Sequence, residues 1–522
     1  MNWITSMRLL VALLSSLMVP FSGAAASPCS GPTGLYHSLI NKADGTVFLD
    51  ITLNLLCDNG SYNAQLFTSM GDFKVTSAEG SENRVKIEFD SGASLGDLTL
   101  AENADILSGH FTFGEDRGAI RFVRSGVALA ADAMTPRLDL TPTQWREDIA
   151  FYAKELPKLH ANAYFHITRD QFDAEVRALD ARAGNATGDE MLVGLQAITK
   201  SIGDGHTGIF AIGIDRRVMP IAFGKFENDV RIVSASTAYQ RLLGMRLVKI
   251  GGMPITDAWT KIMTLTPQAE LEQLRRQDAL VYLARGYALH GLGIISDRNQ
   301  ADYTVQDDNG KTSDVDVIAL APGEHPEMKS VFPDKAIRLQ NKDSAFWCKA
   351  LEEQQAVYCD WRGYQDLGKN AKAMFALLAA KKPSKLILDM RDNGGGDNTV
   401  GDAEIVKPLI ASTHFNRKGR LYVLIGAETF SAAMNNAAQL QDQTNAILVG
   451  ETIGEKPNSY QEPRQFRLPN SHLIVRASTL WYAFRKNGPN VVAPNKEIIP
   501  TWDDSKSGRD KVLEWALAQP VN

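Results

Sequence analysis

Short apolar runs separated by turn residues set the organisation of the chain. Between about residues 30 and 125, TVFLDITLNLL, NAQLFTS, RVKIEFD, LTLAE, HFTFG and AIRFVR alternate apolar and polar positions and break at Asp-Asn-Gly, Gly-Asp and Ser-Gly. A period of two predicts strands with one buried face, so an antiparallel β module is expected over 27–130. From 141 to 202 the period lengthens. Thr141-Pro142-Thr143 offers a cap with proline in the first turn, and WREDIAFYAKELPKLH, FDAEVRALDAR and DEMLVGLQAITKSI repeat apolar residues every three or four places. This predicts a helical part over 136–215. Strand patterns return over 216–325 in MPIAFGKF, DVRIVSAS, MRLVKIGGMPI and ADYTVQDDNG, around one long helical stretch. From about 345 onward the near-continuous apolar runs KLILDM and LYVLI alternate with helical segments. Strands covered on both faces read this way, which predicts an α/β core over 330–522.

The first residues bear on destination. Arg8 precedes an apolar run from Leu9 to Val19, followed by Pro20 and Gly23-Ala24-Ala25-Ala26. This is the order of a secretory signal peptide over 1–26, with cleavage expected after Ala26. The run is too short for a bilayer core of roughly 30 Å, and so is every later one. The mature protein is therefore expected in the periplasm or secreted, without stable membrane insertion. Four cysteines form two local pairs, Cys29/Cys57 and Cys348/Cys359. An even count in an exported chain points to disulfides. A metal site would need clustered His or close Cys-x-x-Cys spacing, so no metal is expected. The net charge of −6, with both signs interspersed, provides no basic field for nucleic acid. At 522 residues the chain exceeds what one core supports.

Candidate chemistry lies in three segments far apart in sequence: GDGHTG around His206, LILDMRDNGGGDN over 386–398, and LYVLIGAETFSAAMNNAAQLQD over 421–442. In the last, Ser431 opens a helix after a buried strand. A serine hydroxyl needs a base to become a nucleophile. At a helix start it lies beside unpaired amides and the positive dipole end, making the Ala432 amide a candidate oxyanion donor. A glycine run at a strand end lets backbone amides approach a substrate closely, so Gly395 and Gly396 are candidates for the second donor. His206, titrating near neutrality, suits the base.

With DGHT at 204–207, DMRDNGGGD at 389–397, ETFSAA at 428–433, ILVGETIG at 447–454 and a closing PNKEIIPTWDD, the chain resembles the tail-specific, or C-terminal-processing, serine proteases. The tricorn protease core and the interphotoreceptor retinoid-binding proteins are their relatives. The resemblance covers roughly 140–520. It implies a crotonase-like α/β catalytic domain of the ClpP/crotonase superfamily, a PDZ-like module over 216–325, no cofactor, peptide or protein substrates, and an acyl-enzyme on Ser431. One branch of the family uses a lysine 25 residues beyond the serine, which here is Lys456 (456 − 431 = 25), although Glu455 intervenes after the Thr452-Ile453-Gly454 turn. The other branch uses the histidine of GDGHTG, which favours His206. For the acid that orients it, Glu497 is the nearest match to the closing motif, with Asp204 and Glu455 as alternatives. A weakened relative that binds peptides or apolar ligands, or an esterase, would carry the same residues.

Overall fold

The computed structural model describes residues 29–520 apart from 30, 42–46, 59–60, 69–71, 91–94, 114–115, 131–132, 212 and 334–335. The expected signal peptide lies outside the described residues. Two units are distinct, one ending at 133 and one running from 134.

In the first unit, period-two alternation is realised on eight strands: β1 (Gly34–Asn41), β2 (Val47–Asp58), β3 (Ser61–Thr68), β4 (Lys74–Ser81), β5 (Arg84–Asp90), β6 (Leu95–Asn103), β7 (Ile106–Phe113) and β8 (Asp116–Gly126). All pairings are antiparallel and the order is β3-β2-β1-β8-β7-β6-β5-β4. The two remaining edges meet where the Phe73 amide donates to the Leu66 carbonyl at 3.0 Å. The sheet thus closes on itself at this one bridge, as an up-and-down barrel. Leu53, Leu55, Ile87, Leu107 and Phe122 fill its inside. The sequence pattern predicts six strands. It passes over β1 and also β4, which has no fully buried side chain and so no apolar alternation. A disulfide joins Cys29 to Cys57 on β2.

The second unit begins with α1 (Pro142–Leu159), α2 (Arg169–Arg182) and α3 (Gly188–Ser201), each opened by a threonine capping box: Thr141 with Gln144, Thr168 with Gln171, Thr187 with Glu190. The strand β9 (Gly208–Phe210) follows. The region expected as a separate module comes next. It contains β10 (Ile221–Phe226), β11 (Asp229–Ser236), β12 (Arg246–Ile250), β13 (Met253–Pro254), α4 (Ile255–Ile262), α5 (Glu272–Tyr282), α6 (Gly286–Gly291), β14 (Gln300–Gln306), β15 (Thr312–Ile318) and β16 (Met328–Ser330). Its sheet runs β10-β11-β12-β14-β15, with β13 on β12 and β16 on β11, around a core that includes Ile232, Ile250 and Tyr303. Pairing of β16 with β11 carries this sheet past residue 325.

The α/β core is built from β17 (Phe346–Leu351), β18 (Ala356–Trp361), α7 (Leu367–Lys381), β19 (Lys385–Asp389), the short helices α8 (Asn398–Gly401) and α9 (Lys407–Ala411), β20 (Leu421–Ile425), α10 (Ala432–Gln443) and β21 (Ile447–Gly450). Then come β22 (Asn458–Arg467), β23 (Ile474–Ala483), β24 (Lys496–Glu497), α11 (Trp502–Ser507) and α12 (Lys511–Ala518). The sheet order is β17-β18-β19-β20-β21-β24, parallel except for β17. Every residue of β18, β19 and β20 is buried, including Asp360, Lys385 and Asp389 among their apolar positions. A second disulfide joins Cys348 and Cys359, which face each other across β17 and β18. Finally, β22 and β23 form a three-stranded sheet with β9, so residues 208–210 belong structurally with the C-terminal core.

Candidate active site

The loops leaving the C-terminal ends of β19, β20 and β21 converge with the turn before β9. In open α/β sheets this is the end at which ligands bind. Ser431 follows the β20 loop and adopts φ 55° and ψ −125°. A non-glycine residue there is strained by about 1–3 kcal/mol, as in the sharp strand-to-helix turn that presents a nucleophile. Gly395 makes that turn possible. Its φ is +103°, and a Cβ on it would lie 2.7 Å from the Ser431 Cβ and 2.9 Å from the Phe430 carbonyl oxygen. Its amide donates to Asn393 Oδ1 at 3.0 Å. Gly396 is hemmed in by the Tyr364 ring, 2.5 Å from where its Cβ would be. Ala432 is the first residue of α10, where backbone amides lack intrahelical acceptors.

His206 comes from the opposite side. Its Nε2 lies 3.2 Å from the Ser431 Oγ, and its ring stacks on Phe430 with centroids 4.7 Å apart. Asp204 shapes the loop rather than touching the imidazole. It accepts the backbone amides of His206 (3.0 Å) and Thr207 (2.8 Å), the Ser478 hydroxyl (2.6 Å) and His160 Nε2 (2.9 Å). Burial raises its pKa, but His160, Ser478 and Thr207 outweigh burial and hold the carboxyl down at about 2.

The acid beside the imidazole is Glu455. Its Oε1 is 3.5 Å from His206 Nδ1, and its side chain is fully buried. It also accepts the Ser431 amide, the Ser459 hydroxyl at 3.4 Å and Gln461 Nε2 at 3.2 Å. Glu497, expected from the closing motif, is instead exposed on the edge strand β24 and paired through its backbone with Gly450. The chain between β21 and β22 turns inward at 453–455 and so places a carboxylate that β24 carries on the outside. Lys456 is also directed away from the serine, its Nζ donating to the Ala269 carbonyl.

Burial pulls the site toward neutrality. It lowers His206 to about 4, with Asp204 opposing and Lys200 assisting. It raises Glu455 well above the usual carboxylate range, and the neighbouring Glu270 adds to that rise. Glu270 itself is pushed up to about 7, again chiefly by burial. No motif marks Glu270 in the sequence, because a connection remote from the other segments brings it here. Among the described residues no group of three or more His, Cys, Asp or Glu is arranged to hold a metal ion, and no helix is long and apolar enough to cross a membrane.

Residues 398–498 match the family model of peptidase family S41. That segment contains Ser431, Glu455, Lys456 and Glu497 and leaves out His206 and the glycines. A stretch covering 29% of the chain is 27% identical to the tail-specific protease of Haemophilus influenzae, and it spans 26% of that protein's length. Two solved structures of CPAF are similar in fold. Mature CPAF complexed with lactacystin gives a TM-score of 0.50 over 72% of this chain and 97% of that one. A CPAF mutant gives 0.51 over 73% and 99%. Both are 11% identical to this chain, so the likeness concerns fold alone.

Proposed function

We propose that this chain, a member of peptidase family S41, is an exported serine endopeptidase in which Ser431 is the nucleophile, His206 the base and Glu455 the acid that orients it. The observation that carries the reading is the approach of His206 Nε2 to within 3.2 Å of the Ser431 Oγ, on a serine held in a strained backbone. The neutral imidazole takes the hydroxyl proton as Oγ bonds to the scissile carbonyl carbon. The negative charge that forms on the carbonyl oxygen is received by backbone amides. Because the Gly395 amide already donates to Asn393, we assign Ala432 and Gly396 as the donors, with Gly395 giving the loop its shape. Nε2–H then protonates the leaving amine as the C–N bond breaks, and water resolves the acyl-enzyme by the same steps reversed.

Glu455 acts through the imidazole. On this reading its carboxylate is placed to accept Nδ1–H as the pair closes, leaving Nε2 free to accept from the serine. The 3.5 Å separation has to shorten as positive charge develops on the ring, and such contacts tighten in the reacting complex. The second reading, a binding protein that has lost its chemistry, is disfavoured by this complete arrangement. Export is supported by the two disulfides and by the signal pattern of residues 1–26. We read 216–325 as the PDZ-like module, with the groove between β10 and α5 (Ile221, Phe223, Leu280, Ala284) as the place for a substrate tail. A fluorophosphonate probe tests the assignment. Labelling of Ser431, abolished in Ser431→Ala, is expected, together with turnover of peptides in preference to simple esters. An unlabelled, folded wild-type protein would overturn the enzymatic reading.

A further inference from the structure

Glu270 belongs to none of the three loops that carry the reacting groups. It lies in the connection between α4 and α5 and is only 9% exposed. One carboxylate oxygen accepts the amide of Gly205 at 3.3 Å, and the other accepts the amide of Lys456 at 3.2 Å. Those amides sit immediately before His206 and immediately after Glu455. The flanking residues run the same way. The Ala269 amide donates to the Gly203 carbonyl at 3.0 Å, the Leu271 amide donates to the Gly454 carbonyl at 3.1 Å, and Lys456 Nζ donates to the Ala269 carbonyl. The base and its acid come from turns 249 residues apart (455 − 206). Their 3.5 Å separation therefore depends on whatever ties those turns together, and a single carboxylate holds one amide of each.

We propose that Glu270 is a positioning residue that sets the spacing of His206 and Glu455, so that the inserted module supplies a side chain the α/β core needs for catalysis. This rests on the reading of Ser431, His206 and Glu455 as the hydrolytic array. The geometry demands both oxygens. Glutamine has one acceptor oxygen and can hold only one turn. Aspartate is shorter by one bond of about 1.5 Å and cannot span both. Misplacing a catalytic group by about 1 Å costs on the order of 10²-fold. Asp204 and Lys456 are the charged groups that bear on Glu270, Asp204 and Lys200 those that bear on His206, and Glu270 and Asp204 those that bear on Glu455. Among these, Glu270 is a like charge that holds Glu455 up.

The test compares full-length mature wild type with Glu270→Ala, Glu270→Asp and Glu270→Gln, with thermal melting as the check of folding. In Glu270→Ala, hydrogen exchange is expected to rise about tenfold or more in both 203–207 and 454–457 while β19 and β20 keep their protection. On an internally quenched peptide, kcat is expected to fall about 10–100-fold with KM changed by less than about threefold. Fluorophosphonate labelling should slow in parallel. Glu270→Asp is expected to behave like Glu270→Ala, and Glu270→Gln to fall between. The fall in kcat with little change in KM is the readout that a merely structural role would not give. Unchanged exchange in either segment of a folded Glu270→Ala protein, or full kcat there, overturns the proposal. A wild type that neither labels nor hydrolyses sinks the functional reading instead, and the exchange data then decide alone whether Glu270 ties the turns.

Discussion

At the scale of single residues, the site trades stability for geometry. Ser431 occupies a backbone conformation that glycine adopts freely, so Ser431→Gly is expected to abolish hydrolysis and to raise stability by about 1 kcal/mol in denaturant unfolding. The two glutamates weighed for the orienting role separate cleanly. Glu455→Ala should lower kcat by about 10²–10⁴-fold, the range seen when a base loses the acid that fixes its tautomer. Glu497→Ala, on the exposed edge strand, should leave turnover within about twofold. The pH profile discriminates further. Burial keeps His206 neutral down to about 4, so its protonation does not limit the enzyme near neutrality. Glu455 has the opposite shift: its folded pKa is raised, so it is protonated over a range where a free carboxyl of pKa about 4.3 would be ionised. A protonated Glu455 no longer supplies the negative charge that steadies the imidazolium formed when His206 takes the serine proton. The acid limb of kcat/KM is therefore expected to lie above the ordinary carboxylate range in wild type. It should drop toward the His206 value of about 4 in Glu455→Gln.

At the scale of elements, the legible parts were those whose chemistry is local. The Thr141 cap, the buried strands β19 and β20 and the helix start at Ser431 are each written in consecutive residues; the caps at Thr168 and Thr187 are local too, but the sequence reading passes over them. Gly291-Leu292-Gly293-Ile294 reads as a helix-ending turn, and α6 ends there, with Gly293 at φ +63°. Gly395 also announces itself as part of a glycine run, although the reason for it, the close approach of Ser431, is a tertiary fact. Gly395→Ala is expected to cost about 10²-fold or more in labelling rate, since the new Cβ would displace the serine. The orienting acid was not readable in the same way, because the strand-to-strand turn that carries Glu455 inward depends on Ser459 and Gln461 of β22 packing beneath it. The cross-strand disulfide is local too. Its loop spans 11 residues, so Cys348→Ala with Cys359→Ala should reduce stability by no more than about 2–3 kcal/mol and leave kcat unchanged.

At the scale of the whole molecule, the sequence pattern separated the β module from the peptidase region but did not reveal that the module closes on itself. Closure rests on one bridge from Leu66, in the apolar end of β3, to Phe73 just before β4, and β4, which has no buried position, carries no period that could be read. Among the described residues, none of those named at the site belongs to the barrel. A chain beginning near residue 138 is accordingly expected to fold and to turn over small peptides at the wild-type rate; a folded truncation without turnover would show the barrel to be part of the machinery.

The placement of β9 has a consequence for when Ser431 and His206 can meet. The base rides two residues ahead of Gly208, and Gly208 finds its pairing partner in Arg476, which the ribosome adds 268 residues later (476 − 208). Asp204, which braces the same turn, waits for Ser478. A growing chain that stops short of Arg476 thus holds Ser431 and His206 without the β9–β23 pairing that seats the His206 turn. Long-range pairing of this kind forms late. On the proposed assignment of Ser431 and His206, their approach is expected only once the last quarter of the polypeptide is available.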